Sequence, residues 1–310
     1  MLLDATFLIG GLLILFLGGN FLVKSSVSLA KHLKVSDFLI GIVIVSLGTS
    51  FPELIVSVNA AISNHNDISI GNVVGSNIIN VLLGIGIASF IFPIVIKKKN
   101  ITLDLIIMII ATIILFVLTL DKKLNRIDGL IFITFFVIYI IFSIFKDKKH
   151  IGEIQSPKYG KFLSVVVIIL SAFSLWLGSE GIIKGGSNIA KAMGISERII
   201  SLTIIAFGTS LPEIATSITA LYNKEPEITL GNIIGSNIFN ILFILGTTAT
   251  IHAIEINEKI LSYDYIWLGI TSLILIPYIY LIKNKREIRR ISALYLVIYL
   301  FYLIFLIYNK

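Results

Sequence analysis

The stretch Ser46-Leu47-Gly48-Thr49-Ser50-Phe51-Pro52-Glu53 returns 160 residues later as Ala206-Phe207-Gly208-Thr209-Ser210-Leu211-Pro212-Glu213, with five of eight positions identical. A second stretch keeps the same offset. Gly71-Asn-Val-Val-Gly-Ser-Asn-Ile-Ile-Asn80 returns as Gly231-Asn-Ile-Ile-Gly-Ser-Asn-Ile-Phe-Asn240, with seven of ten identities. Gly18/Gly178, Lys24/Lys184, Lys31/Lys191 and Ser36/Ser196 follow the same spacing. A repeat at constant spacing means one structural unit used twice.

The chain around the repeat is built for lipid. Of 310 residues, 56% are hydrophobic and only 14% are charged, against roughly a quarter charged in soluble domains. Mean hydropathy is +0.99. Spans need about 20 mostly apolar residues. Ten runs qualify: 5–30, 38–63, 69–93, 101–120, 127–145, 161–190, 197–222, 228–252, 263–282 and 290–308. They are apolar on every face, which excludes the alternation of a membrane barrel. The first run starts with Asp4 rather than a basic segment, so it reads as a spanning helix, not a signal peptide. The expected fold is an all-α membrane protein. Residues 1–150 and 161–310 form two five-helix repeats, joined by the linker 151–160. Five is odd, so the second repeat enters from the opposite side, as in the inverted repeats of secondary transporters.

Charge and composition remove other classes. The net charge of +7 is scattered through inter-helix segments, which fits loops and gives no nucleic-acid surface. With the N-terminus outside, inside loops carry 16 Lys and Arg residues and outside segments seven. Both termini are therefore expected outside, in the cell membrane. There is no cysteine, and His32, His65, His150 and His252 form no metal-binding pair, so a zinc enzyme is not expected. No catalytic nucleophile–base pair is evident, so the chain is read as a non-enzyme without cofactor.

Glu53 and Glu213 fall near the middle of the second and seventh spans. A carboxylate at that depth costs about 2.5–3.5 kcal/mol on insertion scales. Two of them without a buried arginine call for a cation. Ser46, Thr49 or Ser50, and Glu53 share one helix face, and Thr209, Ser210 and Glu213 repeat it. Asn72, Ser76 and Asn80 stack at four-residue spacing, as do Asn232, Ser236 and Asn240. These faces offer only oxygen, which suits hard cations such as Ca²⁺ and Na⁺ and not soft metals. Pro52 and Pro212 lack the N–H that would bond the carbonyls of Gly48 and Gly208, so each helix should kink there and free backbone oxygens. Gly71, Gly75, Gly231 and Gly235 are expected to let helices approach closely. Gly18, Gly19, Gly178, Gly181, Gly185 and Gly186 should smooth the first and sixth spans, and Lys24 and Lys184 should snorkel.

On these residues the chain resembles the sodium/calcium exchanger family within the cation/calcium antiporters. Gly-Thr-Ser-Φ-Pro-Glu followed by Gly-Asn-x-x-Gly-Ser-Asn, present twice, looks like that family's paired alpha repeats. The resemblance covers the whole chain. It implies antiport of about three Na⁺ for one Ca²⁺, electrogenic; the two ions and the lipid bilayer are the expected partners, with a monomer as the expected unit and the oligomeric state not read from the sequence. It implies that Glu53 and Glu213 bind Ca²⁺ with carbonyls or hydroxyls of Thr49 and Thr209. Ser46, Ser50, Ser76, Ala206, Thr209, Ser210 and Ser236 would line Na⁺ sites with the glutamates. Asn80 and Asn240 would face the centre, and the first and sixth helices would slide. Some members, including potassium-dependent ones, carry Asp where this chain has Asn240, so K⁺ co-transport is not expected. The alternative on the same fold is Ca²⁺/H⁺ exchange. The dense hydroxyls favour Na⁺, since protons do not need them. A channel is disfavoured because channels usually build the pore by oligomeric symmetry.

Overall fold

The computed structural model describes residues 2–93, 101–147, 157–194, 204, 206–280 and 284–308. Helix α1 is Leu2–Leu33, and α2 comprises the segments Asp37–Thr49 and Phe51–Ile62. Helices α3 (Asn66–Ile91), α4 (Thr102–Leu118), α5 (Arg126–Asp147) and α6 (Lys161–Ala192) follow. Helix α7 is seen as Ala206–Thr209 and Leu211–Tyr222. Helices α8 (Pro226–Ile251), α9 (Ile260–Tyr280) and α10 (Lys285–Tyr308) complete the chain.

Among the described residues, seven helices are long and apolar enough to cross a membrane, or eight if the bent pair of α2 counts as one. The expected spans at 101–120 and 197–222 are not in that number. Helix α4 has 17 residues, and the start of the seventh span lies outside the described residues, as does most of the linker. The expected boundary at 290 is corrected: α10 begins at Lys285. Asn284 caps it, accepting from the Glu287 N–H at 3.0 Å and donating to the Glu287 carboxylate at 2.7 Å. That reciprocal cap lets a helix start among charged residues.

Helices α3 and α8 form the centre. In their most apolar stretches 78% and 94% of residues are buried, against 28–33% for α1, α5, α6, α9 and α10, which turn apolar faces outward. Lipid tails are as apolar as leucine, so hydrophobicity does not drive helices together here. Close backbone approach and polar bonds must do so. Helices α1 and α6 meet backbone to backbone: a Cβ on Gly11 would lie 2.7 Å from the Gly178 oxygen, and one on Gly185 would lie 2.6 Å from that of Asp4. Lys184 places its ammonium 5.0 Å from the centre of the Phe7 ring. A short ladder, Lys123–Leu124 (β1) antiparallel to Ile254–Glu255 (β2), ties the α4–α5 and α8–α9 connections. The Lys122–Glu258 ion pair beside it is exposed and contributes little.

The turns also repeat at the 160-residue spacing. Lys34 (φ 56°) matches Gly194 (φ 78°), and Asn64 (φ 59°) matches Lys224 (φ 63°). In the α7–α8 turn, burial and then the carboxylate of Asp37 push Glu225 up to about 7, with Lys31 opposing and Glu227 adding. The folded state then holds this proton more tightly than the unfolded chain. The stability involved is whole below about pH 4.5 and is lost as pH rises through about 7. Glu225→Gln should therefore raise the melting temperature at pH 8 and leave it unchanged at pH 4.5. Solvent screening holds the gain to about 2 °C. Melting curves at both pH values check this, and an equal gain at both would refute it.

Candidate cation site

Helix α2 does not run through Ser50. Its two segments meet at 48°, and the second opens Phe51-Pro52-Glu53. The expected kink at Gly-Thr-Ser is present, and it takes the form of a stop and a restart at Ser50. Proline in a first turn loses nothing, because that N–H has no intrahelical partner. Helix α7 breaks the same way at Ser210. Each glutamate consequently lies in the first turn of a helix, where free N–H groups and the helix dipole favour negative charge. The Gly208 carbonyl accepts from the Ser179 hydroxyl of α6 at 2.5 Å. The position matching Ser179 is Gly19, which has no hydroxyl to offer Gly48.

The structure brings the expected residues together. Ser46, Thr49, Ser50, Glu53, Ser76, Asn80, Thr209, Ser210, Glu213, Ser236 and Asn240 are all 0–1% exposed. Ala206 opens the segment Ala206–Thr209. The Ser50 hydroxyl donates to Glu213 Oε1 at 2.8 Å, joining α2 to α7. Ser76 and Ser236 lie 3.4 and 3.5 Å from Oε1 of Glu53 and Glu213. Ser46 donates its proton to the Ile42 carbonyl, which leaves only lone pairs for a cation.

Amides fix the glutamate backbones. Asn72 Nδ2 donates to the Glu53 carbonyl at 3.2 Å and to Ser57 Oγ at 2.9 Å. Asn232 does the same to Glu213 and Ser217, at 3.2 and 3.3 Å. The amide oxygens reach into the other half: Thr49 donates to Asn232 Oδ1 at 3.1 Å and Thr209 to Asn72 Oδ1 at 3.2 Å.

Sequence reasoning missed Asn77 and Asn237. Each donates to the other's backbone carbonyl, at 3.2 and 3.3 Å. Asn80 then donates to Asn237 Oδ1 at 3.3 Å, and Asn240 to Asn77 Oδ1 at 2.9 Å. The available signal was that both motif copies carry asparagine there. Also unforeseen are the wide helical turns Asn80–Ile85 and Phe239–Leu245, which start at or beside the two inner asparagines. Such π-turns recur at functional sites.

Among the expected site residues, five buried oxygens are without a hydrogen-bond partner: Glu53 Oε2, Glu213 Oε2, Asn80 Oδ1, Asn240 Oδ1 and Ser210 Oγ. The matching hydroxyl, Ser50, donates to Glu213, and Ser210 stands beside Glu53 at the corresponding place. Among the described residues no lysine or arginine pairs with either glutamate, and no three His, Cys, Asp or Glu side chains gather. Any ion here would be held by two carboxylates and neutral oxygens, the shell that hard cations take.

Residues 4–145 and 163–308 match the family described as sodium/calcium exchanger protein. The putative antiporter CaxA of Alkalimonas amylolytica is 33% identical over 296 residues, covering 92% of this chain and 93% of that one. The sodium/calcium exchanger MaX1 of Methanosarcina acetivorans is 29% identical over 339 residues, covering 96% and 95%. A solved structure of the sodium-calcium exchanger NCX_Mj, soaked with Na⁺ and Ca²⁺, superposes with a TM-score of 0.84 at 30% identity, covering 97% of each chain. With its duplicated motif, its buried glutamate pair and these likenesses, the chain belongs to the sodium/calcium exchanger family.

Proposed function

We propose that the chain exchanges Na⁺ for Ca²⁺ by alternating access at the site between α2, α3, α7 and α8. The observation that carries this is the pair of fully buried glutamates without a cationic partner, beside orphaned amide and hydroxyl oxygens. Two carboxylates neutralise one Ca²⁺. Three Na⁺ leave one positive charge, so the exchange is electrogenic. Asn240 adds no charge, and K⁺ takes no part. Na⁺ is favoured as the counter-ion because Ser46, Ser50, Ser76, Thr209, Ser210 and Ser236 supply hydroxyl oxygens around the glutamates, with the backbone of Ala206 on the same segment as Thr209. NCX_Mj is described as a sodium-calcium exchanger studied with Na⁺, Ca²⁺ and Sr²⁺.

The reading includes ten spans in two inverted repeats, 1–150 and 161–310, both termini outside the cell membrane, and a single chain as the working unit. The glycine contact of α1 with α6 is the surface on which sliding would open one side or the other.

Liposomes loaded with Na⁺ and diluted into Na⁺-free medium with radiolabelled Ca²⁺ test the coupling. Uptake should require internal Na⁺ and should speed up when the membrane potential is clamped to drain the surplus charge. Uptake indifferent to the Na⁺ gradient overturns the reading. A proton gradient that replaces Na⁺ in full moves the protein to Ca²⁺/H⁺ exchange.

A further inference from the structure

We propose that two Asp–Tyr pairs form one latch used twice, closed at one end of the helices at a time. Asp264 and Tyr299 join when the state in this structure gives way to the opposite one. The inference rests on the alternating access proposed above. Asp104 of α4 and Tyr139 of α5 return at the repeat spacing as Asp264 of α9 and Tyr299 of α10, the tyrosines within Val137-Ile138-Tyr139 and Val297-Ile298-Tyr299. Each pair lies within one repeat. The first is closed: the Tyr139 hydroxyl donates to Asp104 Oδ1 at 2.8 Å, and both residues are buried. The second is open. Among the described residues no hydrogen bond joins Asp264 to Tyr299. Asp264 Oδ1 is buried without a partner, and Tyr299 is buried too. Tyr302 of α10 also lies within electrostatic reach of Asp264, but its counterpart is Phe142, so it belongs to no repeated pair.

The two pairs sit at opposite ends of the helices. The β1–β2 ladder holds the end of α4 level with the start of α9. Asp104 stands in the first turn of α4, far from the ladder, and Asp264 stands near the start of α9, close to it. The closed end is also bolted to α2. Asp147, at the end of α5, accepts from the Ser36 N–H and hydroxyl, both at 2.6 Å, and that hydroxyl caps α2 by accepting from the Leu39 N–H at 3.1 Å. Asp104 lines a cavity of only about 30 Å³ with Phe38, Leu39 and Ile42 of α2. Helix α2 carries Glu53, so the closed latch fixes one wall of the cation site. The open end has a different backbone: Ile260–Asp264 is a wide π-turn, whereas α4 starts as a regular α-helix. Returning that turn to α geometry rotates Asp264 about the helix axis, a motion that can bring its free oxygen to Tyr299. A buried oxygen without a partner costs stability, and the closed latch of the opposite state removes that cost. Inverted repeats trade places as access alternates, so the bond made now by the first repeat is the bond the second makes in the other state.

Hydrogen–deuterium exchange of the purified chain, beside Ca²⁺ uptake, tests the latch. Tyr139→Phe keeps the ring and removes the closed bond. Exchange at 102–108 should rise roughly tenfold, the population shift that one hydrogen bond to a charged group can carry. Exchange at 260–268 should fall, because the opposite state gains population. Tyr299→Phe should act in reverse at both segments and slow Na⁺-driven Ca²⁺ uptake roughly tenfold. It breaks no bond in the state seen here, so a packing role predicts no effect. Tyr302→Phe should leave uptake and exchange at 102–108 unchanged. Exchange that changes only at the mutated end, or a Tyr302→Phe variant with the effects expected of Tyr299→Phe, overturns the latch. The exchange readings need no ion gradient. A reciprocal shift in a chain that moves no Ca²⁺ under a Na⁺ gradient would uphold the latch and overturn the proposed coupling alone.

Discussion

Glu213→Gln, and Glu53→Gln separately, should abolish Ca²⁺ uptake while leaving the helices folded. Either change leaves a divalent ion facing one carboxylate in a water-poor site. Breaking a buried charge pairing costs roughly 3–5 kcal/mol, a loss in Ca²⁺ affinity of roughly 10²–10⁴-fold. The glutamine keeps an oxygen to accept from Ser50 and relieves the repulsion between two like charges, so the ion-free protein should be no less stable than wild type. The measurement is the rise in melting temperature on adding Ca²⁺, beside radiolabelled uptake. A ligand at 100 times its Kd stabilises by about 2.7 kcal/mol. Wild type should show a Ca²⁺-dependent rise and both variants none. A variant that still takes up Ca²⁺ at a tenth of the wild-type rate or more would remove its glutamate from the ion shell.

Gly231→Ala should be a strongly damaging change for a single methyl group. A Cβ there would lie 2.5 Å from the Phe38 oxygen, 3.0 Å from Gly41 Cα and 3.1 Å from the Ile42 nitrogen. All three are backbone atoms, so relief requires α8 to move away from α2. Overpacking typically costs 1–3 kcal/mol, and about 3 kcal/mol is expected here. The next residue is Asn232, whose amide holds the Glu213 carbonyl, so transport should fall with stability. Gly71 holds the same place in the first motif, yet among the described residues nothing lies within 4 Å of a Cβ there. Gly71→Ala should therefore be much the milder change. Thermal unfolding of both variants in one detergent decides the matter, and equal losses would mean that helix approach does not distinguish the two sites.

That pair also shows where sequence reasoning stops. Gly71 and Gly231 sit in near-identical local sequences, so close approach was expected of both, and of Gly75 with Gly235. Of these four, only Gly231 and Gly235 meet neighbouring backbone among the described residues. The neighbour, not the motif, decides what a glycine does. The glutamates were legible because a carboxylate inside an apolar run has few physical excuses. The oxygen faces were legible because helical spacing alone aligns them. The restart at Phe51 was half legible: proline announces a break, but its place in a first turn depends on how the next segment packs. Asn77 with Asn237 was illegible as a pair. Each looks like any asparagine on a buried helix, and its partner stands 160 residues away. The cap on α10 was overlooked because charge was read as loop, although Asn284 and Glu287 stand at capping distance.

The crossed asparagines carry a consequence for inheritance. Asn77 serves both Asn237 and Asn240, and Asn237 serves both Asn77 and Asn80. A change at either position strands donors and acceptors in the opposite copy, so the two copies of this motif cannot drift apart one substitution at a time. Elsewhere in the chain the halves are free to diverge, and α4, with 17 residues, has already become shorter than α9, with 21. The duplication left two sets of flanking helices with separate histories around a centre that must mutate as one.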